Sequence, residues 1–423
     1  MAYGPDTDFF MDLSLVDDPY PYFEYLRSLG PVVPLPAHNV FAVTGYEEAA
    51  AVHLDTEHFS AVNAVTGPLP PLPFTPEGDD ITAQIEAHRS QIPFGEEVLT
   101  LDAPRHTPLR HLMMRAFTPK RLKEIEVALT QLSDQLIDEI GANGKCELVR
   151  DYATPFATMA IADLLGVPDK ERDSFRNVGV PLQVGQAADA PVLNPMDFRR
   201  DRFVTYIEAR RRSPQDDFLS QIANGTFPDG STPEVMDVVR VATLLFGAGQ
   251  DTTATLLGNA LRLIAENAEL QERLRAEPNL IPAFIEEVLR AHGPVKSTYR
   301  LARKATALAG VDIPVGATVM ITTAAVNRDP CKFDNPAEFQ LGRPGAREHL
   351  SFGRGAHTCP GAGLARLEAR ISLERILARL HDIRVNPGIH GTEGQRRFAY
   401  QPTYVFRSLK ALHLLFTAAI NST

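Results

Sequence analysis

Apolar residues recur three and four positions apart through most of the stretch 107–275, as in "LKEIEVALTQLSDQLIDEI" and "EVMDVVRVATLLFGAGQDTTATLLGNALRLIAENAELQERL". That period puts one apolar stripe on each helix and predicts a large helical body. A shorter helix is predicted at "YEEAAAVHL". Short strand-like pieces flank the body: "PVVPLP" and "NVFAVT" before it, "ATALAGVDIPVGATVMITTAA" after Arg290, and "KALHLLF" near the end. Two segments carry neither period. In the region 62–104, "GPLPPLPFTPEGDD" denies both helix and sheet through proline and glycine, and a proline-rich meander runs through 329–353. A loop as long as the first is expected to be functional or disordered. The pattern predicts a mainly α fold with a minor β portion, as one domain over 1–423. Its β-rich part covers about 30–60 and 300–325 plus C-terminal strands, and its helical body covers about 105–290 and 359–381.

Composition narrows the function classes. Hydrophobic residues make up 44% and charged residues 22% of the 423 positions, ordinary globular usage that favours neither disorder nor a membrane protein. The first residues carry acids where a secretory signal needs a basic start, and no apolar run approaches the ~18 residues of a membrane span. The expectation is a soluble, cytoplasmic protein without a membrane anchor, taken as a monomer. A net charge of −11 disfavours nucleic acid as a partner. Three cysteines, Cys146, Cys331 and Cys359, are spread too widely for a disulfide framework or a zinc cluster.

Cys359 stands out by its surroundings, "FGRGAHTCPGAGLARLE". A glycine-rich loop lets backbone pass close to a flat ligand, and a helix start just after a cysteine favours the thiolate through free N–H groups and the positive end of the helix dipole. A small buried cysteine in a tight turn is the plainer reading, and the neighbours decide between the two. Phe352-Gly353-x-Gly355-x-His357-x-Cys359-x-Gly361 resembles the haem-binding loop of the cytochrome P450 family, and "GLARLE" is similar to the start of that family's proximal helix.

The resemblance implies the cytochrome P450 fold, haem b as cofactor, and Cys359 as the axial thiolate of its iron, with Phe352, Gly353 and Gly361 shaping the loop. A thiolate in that position pushes electron density toward dioxygen and favours O–O cleavage. The family's other signatures follow in order. In "GAGQDTT", two glycines inside a long helix each cost about 1 kcal/mol relative to alanine, and close helix packing is one reason to keep them. The resemblance supplies another, a locally widened helix at the oxygen site. Asp251 and Thr252 then look like the family's acid–alcohol pair, Asp251 relaying solvent protons and Thr252 hydrogen-bonding the oxygen being activated.

Glu287-x-x-Arg290 matches the family's E-x-x-R. Its spacing recurs at Glu86/Arg89, Glu208/Arg211, Glu272/Arg275 and Glu393/Arg396, where it reads as i,i+3 surface pairing. By resemblance, Arg343 completes a buried Glu–Arg–Arg cluster with Glu287 and Arg290, while His106, Arg110, Arg300 and His357 are the implied partners of the haem propionates. Arg110, Arg115, Lys120, Arg121, Lys123, Arg347, Arg354 and Arg366 would by default be solvated charges. The family places them on the haem's proximal side, where a basic patch suits an acidic, ferredoxin-type electron donor.

The implied activity is that of a monooxygenase inserting one oxygen atom of O2 into a C–H bond of a small hydrophobic substrate, a terpenoid, fatty acid, steroid or aromatic. A peroxide-driven peroxygenase and a thiolate-haem sensor are the alternatives, and neither depends on Asp251–Thr252. By position, Phe246, Val295, Thr298 and Val405 are the candidate pocket residues, with further contributions from 62–100, 176–200 and 403–406. Lys296 either pairs a substrate carboxylate or points to solvent.

Overall fold

The computed structural model describes residues 3–4, 6–168, 171, 184–185 and 197–418. Helices α1 (Tyr20–Leu29), α2 (Tyr46–Leu54) and α3 (Thr82–His88) accompany strands β1 (Val32–Leu35), β2 (Val40–Val43) and β3 (Phe59–Ser60). The helical body follows as α4 (His106–Met114), α5 (Pro119–Gly141), α6 (Thr154–Leu165), α7 (Asp197–Arg212), α8 (Phe218–Ala223), α9 (Val235–Glu266), α10 (Ala268–Ala276) and α11 (Ile281–His292), with the short strand β4 (Lys145–Glu147) after α5. Strands β5 (Thr298–Ala302), β6 (Thr306–Leu308), β7 (Val311–Ile313) and β8 (Thr318–Ile321) lead through α12 (Thr323–Val326) to the cysteine loop. The chain closes with α13 (Ala362–Arg379), β9 (Leu380–Val385), α14 (Pro387–His390) and β10 (His413–Ala418).

Local chemistry sets the boundaries. Thr118 caps α5 by accepting the Arg121 N–H, and Pro119 occupies the first turn, where its missing N–H is harmless. Helix α9 stops at Asn267, whose side chain accepts the Leu270 N–H and so starts α10 at once. Most of α9 is buried, because α6, α7, α11 and α13 pack around it. It is the central rod of the body.

Three sheets complete the fold. The largest has the order β1-β2-β8-β5-β3: β1 and β2 pair antiparallel, and β2 then pairs in parallel with a strand some 280 residues later, Val43 lying opposite Ile321. Strand β10 joins β4 and β9 in the second sheet, and β6–β7 is a separate hairpin. The mainly α architecture agrees with the apolar pattern. Strand β4 interrupts the stretch read as helical, since Cys146 and its neighbours pair with β10 across the molecule. Among the described residues, no helix is long and apolar enough to cross a membrane.

The irregular 62–104 region holds α3 and is knotted by Arg89, which is 1% exposed. Its guanidinium donates to both Glu86 carboxylate oxygens, to the carbonyls of Gly95 and Thr100 at 3.0 and 2.9 Å, and to Asp102 at 3.3 Å. The expectation of a surface Glu86/Arg89 pair is corrected: a five-donor guanidinium supplies the partners that a loop backbone lacks. The other repeats of that spacing divide. Glu272 and Arg275 form the expected pair, whereas Arg211 donates to the Ala223 and Pro233 carbonyls and Arg396 lies 3.7 Å from Glu266.

Candidate active site

A cavity of ≈ 320 Å³ opens between α9 and the start of α13, with walls from α4, the Leu289–Arg300 segment and the cysteine loop. One wall presents Ala248, Gly249, Thr252 and Thr253, and the facing wall presents Phe352, Cys359, Leu364 and Glu368. The lining is mostly apolar, as ligand sites are.

The loop geometry follows from its glycines. Gly353 and Gly355 adopt φ of +64° and +71°, and the Cys359 N–H donates to the Phe352 carbonyl at 2.8 Å. A Cβ on Gly361 would sit 4.0 Å from the Cys359 sulfur, so the backbone at the start of α13 runs directly beside the thiol. Burial pushes the Cys359 thiol up, while the Gly361 N–H, Arg110 and Arg366 act in the opposite direction. The other cysteines lie elsewhere, Cys146 buried in the β4 sheet and Cys331 exposed.

Helix α9 crosses the cavity as an unbroken α-helix. The expected widening at "GAGQDTT" is absent, and room comes from the small residues themselves. A Cβ on Gly249 would approach Ile161 of α6 to 3.2 Å, so this glycine serves close helix packing. The Thr252 hydroxyl donates to the Ala248 carbonyl at 2.7 Å, which leaves its oxygen lone pairs for the cavity. Asp251 keeps accessible surface, yet the protein around it still pushes its carboxyl up. Arg199 of α7 opposes that rise. It is buried, donates to Gln250 Oε1 at 3.0 Å and lies 5.0 Å over the Phe246 ring.

Two acids of contrasting character adjoin the loop. Glu368, 2% exposed on α13, accepts from the Thr253 hydroxyl at 2.8 Å, and burial raises its carboxyl to about 8, so it holds its proton at neutral pH. Glu286 is also buried, but Arg366 donates to it at 2.6 and 3.0 Å and His349 Nε2 lies 3.2 Å away, which outweighs burial and brings it down to about 2. Arg366 also stacks 4.6 Å over Phe352, so this ion pair braces the loop from behind.

His106, Arg110, Arg300 and His357 meet at one end of the cavity. The His106 and His357 rings lie 4.2 Å apart, Arg110 donates to the Thr358 carbonyl, and Arg300 donates to the Tyr299 carbonyl at 2.7 Å. Burial lowers His106 to about 4 and His357 to about 2, and it lowers Arg300 to about 10. Two guanidiniums and two imidazoles gathered there, with Asp102 the only carboxylate among the described residues acting on any of them, suit a dianionic ligand with an apolar body. Cys359 lines the same cavity. These residues fit haem b: Cys359 would hold its iron, and His106, Arg110, Arg300 and His357 would hold its propionates.

Glu287, Arg290 and Arg343 come together away from the cavity. Glu287 Oε1 accepts from Arg290 Nη2 at 2.8 Å, from Arg343 Nε at 2.9 Å and from the Gln340 N–H at 2.9 Å. The two arginines also donate to the Asn327 carbonyl at the end of α12 and to the Pro336 and Glu338 carbonyls of the meander. This cluster ties α11 to the 329–353 segment.

Of the candidate pocket residues, Val295 and Thr298 line the cavity, as do Ala64, Val98 and Leu99 from the 62–104 region. Phe246 and Val405 do not. Phe246 turns toward Phe203 and Arg199, and the Val405 carbonyl accepts the Lys296 N–H at 2.8 Å. Lys296 neither lines the cavity nor points to solvent. It is buried 5.9 Å from the Phe9 ring centroid, and desolvation lowers its amine to about 7. Much of the 176–200 stretch lies outside the described residues. Of the basic residues expected on the proximal side, Arg115 donates to the Thr226 carbonyl at 2.9 Å and Arg354 to Tyr46 at 3.1 Å. Lys120, Lys123 and Arg347 are exposed. Arg199, Glu286, Glu368 and His53, another residue lining the cavity, are further members of the site that the motifs do not announce.

Comparisons with known proteins point the same way. The cytochrome P450 family profile matches residues 194–383. Cytochrome P450 144 of Mycobacterium tuberculosis is 32% identical over 395 residues, covering 90% of this chain and 86% of that one. The monooxygenase PikC of Streptomyces venezuelae is 32% identical over 403 residues, covering 93% and 90%. The substrate-free structure of CYP150A6 from Mycobacterium marinum superposes with a TM-score of 0.92 at 51% identity, covering 98% of this chain and all of that one. Likeness of this extent, over a fold built around one thiol-bearing loop, shows that the chain belongs to the cytochrome P450 family of haem-thiolate monooxygenases.

Proposed function

We propose that the protein hydroxylates a small hydrophobic molecule, with Cys359 as the thiolate ligand of haem b and with electrons delivered by a separate ferredoxin-type protein. The single observation carrying this reading is that Cys359, on its glycine loop, and Thr252 of α9 line one mostly apolar cavity. One oxygen atom goes into a C–H bond of the substrate and the other leaves as water, with two electrons and two protons consumed. Bound haem supplies the oxygen activation and accepts the electrons.

The protein's own groups hold the thiolate, move protons and orient substrate. The Gly361 N–H, Arg110 and Arg366 stabilise negative charge on the Cys359 sulfur. Asp251, its carboxyl raised by desolvation against the pull of Arg199, exchanges protons between solvent and cavity. Thr252, its own hydrogen committed to Ala248, receives a hydrogen bond from the cavity side. Arg110 and Arg300 would balance the charge of the propionates, and the neutral His106 and His357 would hydrogen-bond to them. Val295, Thr298, Leu244 and Val98 offer apolar contact to substrate, which suits a terpenoid, fatty acid, steroid or aromatic. Lys120, Lys123, Arg347 and Arg366 form the basic face for the electron donor, since α5 and α13 pack side by side with Leu122 against Gly363. The reading takes 1–423 as one domain working in the cytoplasm as a monomer.

Cys359→Ser tests the assignment. The red-shifted absorption of the reduced carbon monoxide complex, which marks thiolate ligation, should vanish in this variant and persist in Cys146→Ser and Cys331→Ser. A normal spectrum for Cys359→Ser would overturn it.

A further inference from the structure

His53 ends α2, an element of the small-sheet side of the molecule, and its imidazole lines the cavity. It is 5% exposed, and neither ring nitrogen has a hydrogen-bond partner. A buried imidazole without partners is costly, since one nitrogen must donate and the other accept. The charges acting on it are Arg300 and Arg354, both cations, and with burial they lower it to about 3. No acid among the described residues offsets them. His53 lines the cavity, so a ligand bound there can supply the acceptor it lacks.

The cysteine loop is shaped to admit this helix end. A Cβ on Gly355 would lie 2.7 Å from the His53 carbonyl oxygen, too close for any side chain, and one on Gly353 would lie 3.5 Å from His53 Cε1. Both glycines stand at positive φ, so their conformation and their bareness serve the same approach. The imidazole is thereby brought next to His357 and Arg300.

We propose that His53 donates a hydrogen bond to a haem propionate, as a fifth member of the group formed by His106, Arg110, Arg300 and His357. The inference rests on the propionates lying against that group. A neutral imidazole suffices, because Arg110 and Arg300 already balance two carboxylates and His53 need only give its N–H. Its position on α2 makes the cofactor a clamp between the small sheet and the helical body. The same contact makes His53 a cofactor-positioning residue with no direct part in oxygen chemistry.

Transfer of haem from the ferric holoprotein to excess apomyoglobin measures this contact without reference to turnover. His53→Phe keeps ring volume but has no donor, and should lose haem on the order of tenfold faster, as removal of a hydrogen bond to a charged group predicts. His53→Gln restores a donor and should stay within about threefold of the unaltered protein. Arg300→Leu, expected to speed loss strongly, is the control. If His53→Phe holds haem as tightly as the unaltered protein while Arg300→Leu sheds it, the His53 contact is wrong and the propionate placement stands. If neither variant sheds haem faster, the placement itself fails and the His53 contact with it. Should His53→Phe not fold, His53→Leu against His53→Gln decides: a rate ratio of about ten sustains the contact and a ratio near one overturns it.

Discussion

The Thr253 hydroxyl donates to Glu368 Oε2 at 2.8 Å, a bond that spans 115 positions of sequence and locks α9 to α13 beside the thiol loop. Glu368 keeps its proton to about pH 8 in the folded protein, whereas an ordinary glutamate ionises near 4.5. Unfolding therefore releases a proton throughout that window, and this residue lowers stability progressively as pH rises from 4.5 to about 8. Glu368→Gln keeps the hydrogen bond and removes the titration. Urea midpoints measured across this range should fall less for the variant, by on the order of 4 kcal/mol in total as an upper bound. Parallel pH dependences would show that Glu368 is ionised in the fold.

The Glu287 cluster predicts a sharp contrast between two glutamates of equal spacing. Glu287→Gln leaves Arg290 and Arg343 buried beside a neutral amide, and loss of one partner from a buried ion pair costs about 3–5 kcal/mol. Glu272→Gln touches an exposed pair and should stay within about 0.5 kcal/mol. Thermal unfolding and the yield of haem-loaded protein measure both.

Asp251 and Thr252 should fail in different ways. Thr252→Ala removes the acceptor facing the cavity, so electrons are still consumed but much of their flow ends as hydrogen peroxide rather than product. Asp251→Asn removes the proton exchange, so turnover falls and its solvent isotope effect grows. Product, peroxide and reductant measured together distinguish the two. Tight coupling in Thr252→Ala with full rate in Asp251→Asn would leave "GAGQDTT" as packing alone.

The donor face is best tested away from Arg110 and Arg115, which are engaged within the protein. Lys120, 88% exposed, and the nearby exposed Lys123 carry no such ties to the loop. Reversal of both to Glu should slow reduction by an acidic ferredoxin at low salt and flatten the ionic-strength dependence, since screened surface charge governs encounter. Stopped-flow reduction with unchanged rates would place docking elsewhere.

Motifs that act within a few residues were legible in the chain. The Cys359 loop announces itself because glycine spacing, cysteine and helix start are adjacent, and Arg343 could be attached to Glu287–Arg290 by family order. Groups that act across the fold were silent. Arg199 meets Gln250 from 51 positions away, and His53 becomes part of the site only when the loop glycines admit α2. Arg89 was misread because i,i+3 spacing is the same for a surface pair and a buried knot. Phe246 faces Arg199 because a helix turns its side chains through every direction, and position along the chain does not say which one opens to the cavity.

The strand order β1-β2-β8-β5-β3 bears on how the molecule is made. During synthesis β1 and β2 emerge early, yet the partner of β2 is β8, and nearly three hundred residues separate Val43 from Ile321. Until β8 arrives, β2 carries an open edge, an invitation to wrong pairing that a nascent chain must survive. The thiol loop follows β8 by only about thirty residues. Closure of the sheet and completion of the haem site are thus nearly simultaneous, and chains cut off before that point would carry a full set of early helices without the means to retain a cofactor.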